Sequence, residues 1–169
     1  IDHVNLFLTW GEVEGIVCSG IDKGKKTTYA LLDERVPPTR ELCREEALAR
    51  LASRYFQSHS PAQLQDFVWW SGLTATECRL AINLIKTELM TETFDSREYF
   101  IHQSWKGKNE SEPVLRLLPA FDEYLISYKN RTDVLPLEHH PKAFNRFGTF
   151  YPVILYNGKI IGNWSRSIK

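Results

Sequence analysis

The sequence predicts an α+β chain in which a helix followed by a β-hairpin occurs twice, with a small antiparallel β module after the second copy. Three observations carry this. VNLFLTWGEVE (residues 4–14) followed by GIVCSGIDKGKKTTYALLDERV has the texture of an amphipathic helix end and then a hairpin. RLAINLIKTEL followed by MTETF, DSR and EYFIHQ repeats that order, with Tyr99 about seventy residues after Tyr29. Near the end, Asn157-Gly158 separates two apolar runs, and Asn-Gly supplies the positive φ angles a two-residue hairpin turn requires. A helix-turn-helix followed by a hairpin is a winged helix, so the pattern predicts one partial and one complete winged helix-turn-helix, then the β module.

Taken in order, Ile16–Cys18 and Thr27–Leu32 form the first hairpin, with the turn signals in Gly20–Lys26. VPPTRELCREE is a proline-marked linker. Ala47–Ser58 is an amphipathic helix with Leu48, Leu51, Ala52 and Tyr55 on one face. Ser60 as N-cap and Pro61 at the first helical position start a helix that runs to Ser71 and ends at Gly72. Thr74 caps the next helix, with Glu77 completing a capping box and Cys78, Ile82, Ile85 and Leu89 forming its buried stripe. The parts are then residues 1–37 (helix plus wing), 38–112 (complete winged helix) and 113–169 (β module). The first copy lacks its leading helices, so the chain is expected to be the C-terminal part of a longer protein.

Composition bounds the function. Lys plus Arg equals Asp plus Glu at 21 each in 169 residues, so any nucleic-acid surface must be local. No apolar run approaches the roughly 18–20 residues of a membrane helix. Cys18, Cys43 and Cys78 have no CxxC spacing and are odd in number, which suits reduced thiols in a cytosol, and a cytoplasmic, nucleoid-associated setting is expected. Three Asn-X-Ser/Thr triplets, at Asn109, Asn130 and Asn163, are read as chance.

SPAQLQDFVWWSGLT, LLPAFDEYLISYKNR and YPVILYNGKIIGNW, preceded by CSGIDKGKKTTYALLDERVP, resemble, in this order, the signatures of the bacterial winged-helix DNA-binding family that includes AlkZ-type DNA glycosylases. The resemblance covers most of the chain. It implies a winged-helix fold, double-stranded and possibly damaged DNA as partner, and membership of a base-excision protein. The family's Gln-aliphatic-Gln or Gln-aliphatic-Asp motif lies in an upstream region, and the remaining N-terminal part of the same chain would be a further partner. Gln63-Leu64-Gln65 fits the letters but falls in a different place, and is read as helix surface. No catalytic residue, cofactor or metal is expected within the chain.

Lys23, Lys25 and Lys26 at the first hairpin tip are candidate phosphate contacts, with edge protection as the alternative. In a helix-turn-helix the second helix enters the major groove, which makes Thr76, Arg79, Asn83 and Lys86 the outward positions, with Glu77 and Glu88 cancelling their charge. The second wing, with Glu92, Asp95 and Glu98 against Arg97, should avoid phosphate. Lys142, Arg146, Lys159, Arg166 and Lys169 fall in a stretch, 141–169, without an acidic residue. One of Trp69 and Trp70 is expected in the core and the other at its boundary, with base stacking as the sharper alternative. Asp122, Tyr124, Tyr128 and Arg131 suit either chemistry, with Asp122 as general base or Arg131 as phosphate ligand, or a structural Asp–Arg pair with hydrogen-bonded tyrosines; structure is preferred. Trp164, in the last apolar run, is a structural or functional candidate. Glu138-His139-His140 lacks metal-ligand spacing. A winged-helix regulator reading sequence, or a protein-interaction scaffold, are the competing functions.

Overall fold

The computed structural model describes residues 3–38, 40–107 and 112–167. Asn109 and Lys169 lie outside these. The chain divides into two compact units, Ile1–Leu42 and Cys43–Lys169.

The first unit contains α1 (His3–Val13), the hairpin β1 (Val17–Ser19) and β2 (Tyr29–Leu31), and a short α2 (Leu32–Arg35). The second strand therefore stops one residue short of the sequence expectation, because Leu32 opens α2, where its N–H still donates to Ile16 O at 2.9 Å. Within this unit α1 has no buried residue, and Phe7, Trp10 and Val13 are all exposed.

The second unit begins with α3 (Arg44–His59), α4 (Leu64–Ser71) and α5 (Ala75–Leu84), followed by a 3-10 turn (Lys86–Glu88) and the hairpin β3 (Leu89–Phe94) and β4 (Arg97–His102). Leu48, Ala52, Tyr55 and Phe56 line the inner face of α3 and meet Phe67 of α4 and Cys78 and Ala81 of α5. The rings interlock: Phe56 lies 5.0 Å from Tyr55 edge-on, 5.5 Å from Phe67 and 5.8 Å from Phe100 of β4. Such pairs add about 0.5–1.5 kcal/mol beyond the area they bury.

All three helices differ from expectation in their bounds: α3 starts at Arg44, inside the expected linker, and not at Ala47. Residues 60–62 run extended, not helical, because Ala62 exchanges both backbone hydrogen bonds with Phe100 (3.1 and 2.8 Å), and Ser60 Oγ donates back to Phe56 O while accepting from His102 N at 2.8 Å. Gln63 is thus the N-cap of α4, where Asp66 Oδ2 accepts from Gln63 N at 2.9 Å. Gly72 closes the helix in the left-handed conformation, φ +70°. At α5 the Thr74–Glu77 capping box forms, but the helix ends at Leu84, and Ala81 replaces Ile82 and Leu89 as a fully buried position. The 3-10 turn that follows lets the chain reverse into β3.

Residues beyond 112 build a second core from Leu125, Leu135, Ala143, Val153 and Ile160. A three-stranded antiparallel sheet, with β6 (Val153–Tyr156) between β5 (Leu115–Leu118) and β7 (Lys159–Asn163), carries it, with the short helices α6 (Glu123–Ile126) and α7 (His140–Ala143) in the connection. Asn157 (φ +45°) and Gly158 (φ +78°) make the β6–β7 turn the sequence called for. Among the described residues no helix is long and apolar enough to cross a membrane.

Phe67→Ala should destabilise the second unit by about 3–5 kcal/mol, since a fully enclosed ring leaves a cavity. Thr74→Ala, which removes only the cap, should cost about 1 kcal/mol. Urea unfolding followed by far-UV circular dichroism measures both.

Candidate nucleic-acid interface

The first hairpin holds its lysines on a closed tip. Gly20 N donates to Thr28 O at 2.7 Å, and Lys23 and Lys26 exchange backbone hydrogen bonds at 3.1 and 3.2 Å. A Cβ on Gly20 would meet Thr28 Oγ1 at 2.3 Å, so this position needs glycine for the hydroxyl to reach Ile21 O at 2.7 Å. Lys23, Lys25 and Lys26 are all exposed.

On α5, Thr76, Arg79 and Asn83 are exposed on the outer surface, while Lys86 sits in the 3-10 turn and not on the helix. The two glutamates expected to cancel their charge are engaged elsewhere. Glu77 accepts from Thr74 and pairs with Arg44. Glu88 accepts from Ser53 Oγ at 2.7 Å and lies 3.2 Å from His102 Nε2, and these partners hold its carboxyl below the usual range.

The second hairpin is different in kind. Its Arg97 donates twice to Asp133, 2.9 Å each, in the bidentate geometry that gives guanidinium–carboxylate pairs their strength. That leaves Glu92, Asp95 and Glu98 exposed. Asp133 is held below the ordinary carboxylate range by Arg97. In the last segment Lys142, Arg146 and Arg166 are exposed, whereas the Lys159 ammonium donates to Asp133 O.

Neither tryptophan is core, because Phe67 and Asp66 occupy the inward positions of α4. Trp69 donates through Nε1 to Ile126 O at 2.8 Å and carries Lys129 Nζ 4.5 Å above its ring. Trp70 packs 5.0 Å from Tyr55 and 5.8 Å from His59. The Asp122–Arg131 pair does not form. Asp122 instead caps α6, accepting from Tyr124 N at 2.9 Å, and Arg131 donates to the carbonyls of Leu125, Ile126 and Lys129 while stacking on Phe144 and Phe150 at 5.3 Å. These bonds use three of the five guanidinium N–H groups. Tyr124 Oη donates to Gly158 O and Tyr128 Oη to His59 O, 3.0 Å each, and Trp164 Nε1 to Leu118 O at 2.8 Å. His139 and His140 point to separate partners, Glu138 and Leu135 O, and no three His, Cys, Asp or Glu of the described residues group as metal ligands.

Between the two cores of the second unit lies a cleft of about 340 Å³, lined among others by Gln63, Asp66, Tyr99, Tyr124, Tyr128 and Asn130. Asp66 is only 3% exposed, and its second oxygen accepts from Lys129 N at 2.8 Å. Burial and then the Asp66 charge push the Tyr128 phenol up to about 12, and burial raises Tyr99 and Tyr124 as well.

A model of the family described as DNA glycosylase AlkZ-like matches residues 7–167. This chain belongs to the AlkZ-like DNA glycosylase family. An interstrand DNA cross-link repair glycosylase from Streptomyces sahachiroi is 25% identical over 170 residues, which is 92% of this chain and 46% of that protein. The solved structure of the DNA glycosylase AlkZ from the same organism superposes with a TM-score of 0.78 at 22% identity, covering 97% of this chain and 48% of that one. The AlkZ-like chain thus spans about half the length of the relatives it matches.

Within this AlkZ-like chain, sequence reasoning did not single out Asp66, and it noted Tyr99 only as a repeat marker and Asn130 only as the start of a triplet. Their roles depend on contacts between residues more than thirty positions apart; the one available signal was an acidic residue in the first turn of an apolar helix, which marks a cap.

Two outcomes follow from the geometry. Asp122→Ala should lower stability by about 1 kcal/mol through loss of the α6 cap, whereas Asp122→Asn, which keeps the acceptor, should cost less. Tyr128 titrates near 10 when unfolded and about 12 when folded, so the unfolded chain loses its proton first and stability should fall as pH rises from about 10 to 12. Urea midpoints across that range should decline, with a shallower slope in Tyr128→Phe.

Proposed function

We propose that residues 1–169 bind duplex DNA through winged-helix elements, as part of a protein that excises damaged bases. The observation that carries this reading is the first hairpin tip, where three exposed lysines stand on a hydrogen-bonded turn in a chain of zero net charge. Lysines so placed contact backbone phosphates and position a protein without reading sequence.

Family membership and the cross-link repair activity in the name of the Streptomyces relative support base excision over sequence-reading regulation. The order α3, α4, α5, β3, β4, with Ala62 bridged to Phe100 beside the hairpin, supports a winged helix for residues 38–112, and residues 1–37 supply a second helix and wing. In this reading Thr76, Arg79, Asn83 and Lys86 face the groove, with Arg166 as a flanking contact, while Lys159, bound to Asp133 O, serves the fold. The acidic second hairpin faces away from phosphate and braces the last segment through Arg97–Asp133. Gln63 begins α4 as its N-cap, which supports assigning the glutamine motif that positions water at the sugar to residues outside 1–169. The 169-residue chain alone would then bind DNA without excising bases.

Fluorescence anisotropy on a labelled duplex across a salt series tests the reading. Each phosphate contact contributes about 0.9 to the log–log slope, so changing Lys23, Lys25 and Lys26 to Glu should weaken binding and flatten the slope by up to roughly 2.7. An unchanged slope would remove the first hairpin from the interface, and no binding at low salt would remove the DNA reading altogether.

A further inference from the structure

The two most exposed phenylalanines among the described residues, Phe147 at 79% and Phe94 at 71%, both stand on tight turns of the second unit, in surroundings of opposite charge. Phe94 ends β3 and pairs with Arg97 across a two-residue turn, Asp95 (φ +50°) and Ser96 (φ +60°). Arg97 donates twice to Asp133, which anchors the tip to the last segment. Around Phe94, Glu92 and Glu98 are exposed and form no ion pair among the described residues, and Asp95 only approaches the already paired Arg97, at 4.0 Å. The tip is therefore acidic with an apolar centre.

Phe147 has the opposite setting. Asn145 Oδ1 accepts from Phe147 N at 2.9 Å and from Thr149 N at 3.1 Å, while Asn145 N donates to Thr149 O at 3.0 Å, so the turn is closed by its own hydrogen bonds. Its base is the Phe144–Phe150 bridge, with the rings 5.1 Å apart. The Arg146 guanidinium lies 4.8 Å from the centroid of the Phe147 ring, and Lys142 is exposed on α7 just before the turn. No acidic residue occurs from 141 to 169, and neither cation forms an ion pair among the described residues.

Each surface supplies what the other needs: a ring to cover a ring, and charge of the opposite sign. No hydrogen bond or ion pair joins them within one molecule among the described residues. A chain of zero net charge whose signs are segregated in this way has no overall repulsion to keep copies apart. The first hairpin is a poorer match for the acidic tip, because Asp22 stands among its lysines and Gly20–Lys26 contains no aromatic ring.

We propose that the acidic tip of the second hairpin docks, head to tail, on the Arg146–Phe147 turn of a second copy of the chain, Phe94 meeting Phe147 and the carboxylates meeting Arg146 and Lys142. The inference does not rest on the DNA reading. Two turns bury less than the roughly 1,200 Å² of a stable complex, so the contact belongs to the weak, salt-sensitive class.

Sedimentation equilibrium of the 169-residue chain tests it at about 0.01 M salt, where the Debye length is near 30 Å, and at about 0.15 M, where it is near 8 Å. The chain should self-associate with a Kd of roughly 1 mM or tighter at the lower salt and about tenfold more weakly at the higher. Changing Glu92, Asp95 and Glu98 to Lys, or Lys142 and Arg146 to Glu, should each abolish self-association, because both surfaces then carry one sign. An equimolar mixture of these two variants should recover it to within about threefold of the unsubstituted chain, since opposite charges meet again. Phe94→Ala and Phe147→Ala should each weaken it about threefold or more while leaving the salt dependence unchanged. Far-UV circular dichroism and urea midpoints show that each variant is folded.

A chain that stays monomeric at low salt, reversed variants that associate undiminished, a mixture that stays monomeric, or full association in both phenylalanine variants would overturn the proposal. So would loss of association on changing Lys23, Lys25 and Lys26 to Glu with none on changing Lys142 and Arg146, which would move the contact to the first hairpin. Weaker duplex binding by the Lys142 and Arg146 variant with unchanged sedimentation would overturn it in favour of a DNA contact at the turn.

Discussion

The second unit depends on one buried carboxylate. Asp66 sits in the first turn of α4, where its two oxygens accept from Gln63 N and from Lys129 N. The first bond fixes the start of α4 and the second ties the segment after α6 to it, alongside the bonds from Trp69 to Ile126 O and from Tyr128 to His59 O. A buried carboxylate that forms no ion pair among the described residues is tolerated only where N–H groups solvate it. Here the N-terminal end of a helix and one irregular backbone amide do so, and both segments must keep their places for the carboxylate to remain satisfied.

Around this link the polar contacts divide the charged groups into those that hold the fold and those left for a partner. Arg97, Arg131 and Lys159 bind Asp133 or backbone carbonyls, and Glu77 and Glu88 are met by Thr74, Arg44, Ser53 and His102. Outward groups include the lysines of the first hairpin, Arg79 and Lys86 near α5, Lys142, Arg146 and Arg166 in the last segment, and the acidic residues of the second hairpin. Zero net charge thus conceals strongly uneven surfaces, and a neutral pI is compatible with local phosphate affinity.

Much of the local structure was legible in the residues. The Thr74–Glu77 box, the Gly72 stop and the Asn157–Gly158 turn were all readable because each is decided within about four residues. The Ser60-Pro61 start was misread for the opposite reason: a good local cap was overridden by the pairing of Ala62 with Phe100, nearly forty positions away. The Trp69-Trp70 pair was misplaced because Phe67 and Asp66 had already filled the inward face of α4.

The order of helices and hairpins, the turn positions and the family were readable from the residues alone, since periodicity, caps and turn residues act over short spans. Tertiary structure decided which charges are free, that Asp122 caps while Arg131 braces, and that three tyrosines from distant segments share one cleft. Those outcomes depend on which groups burial brings within hydrogen-bonding distance, and only packing sets that.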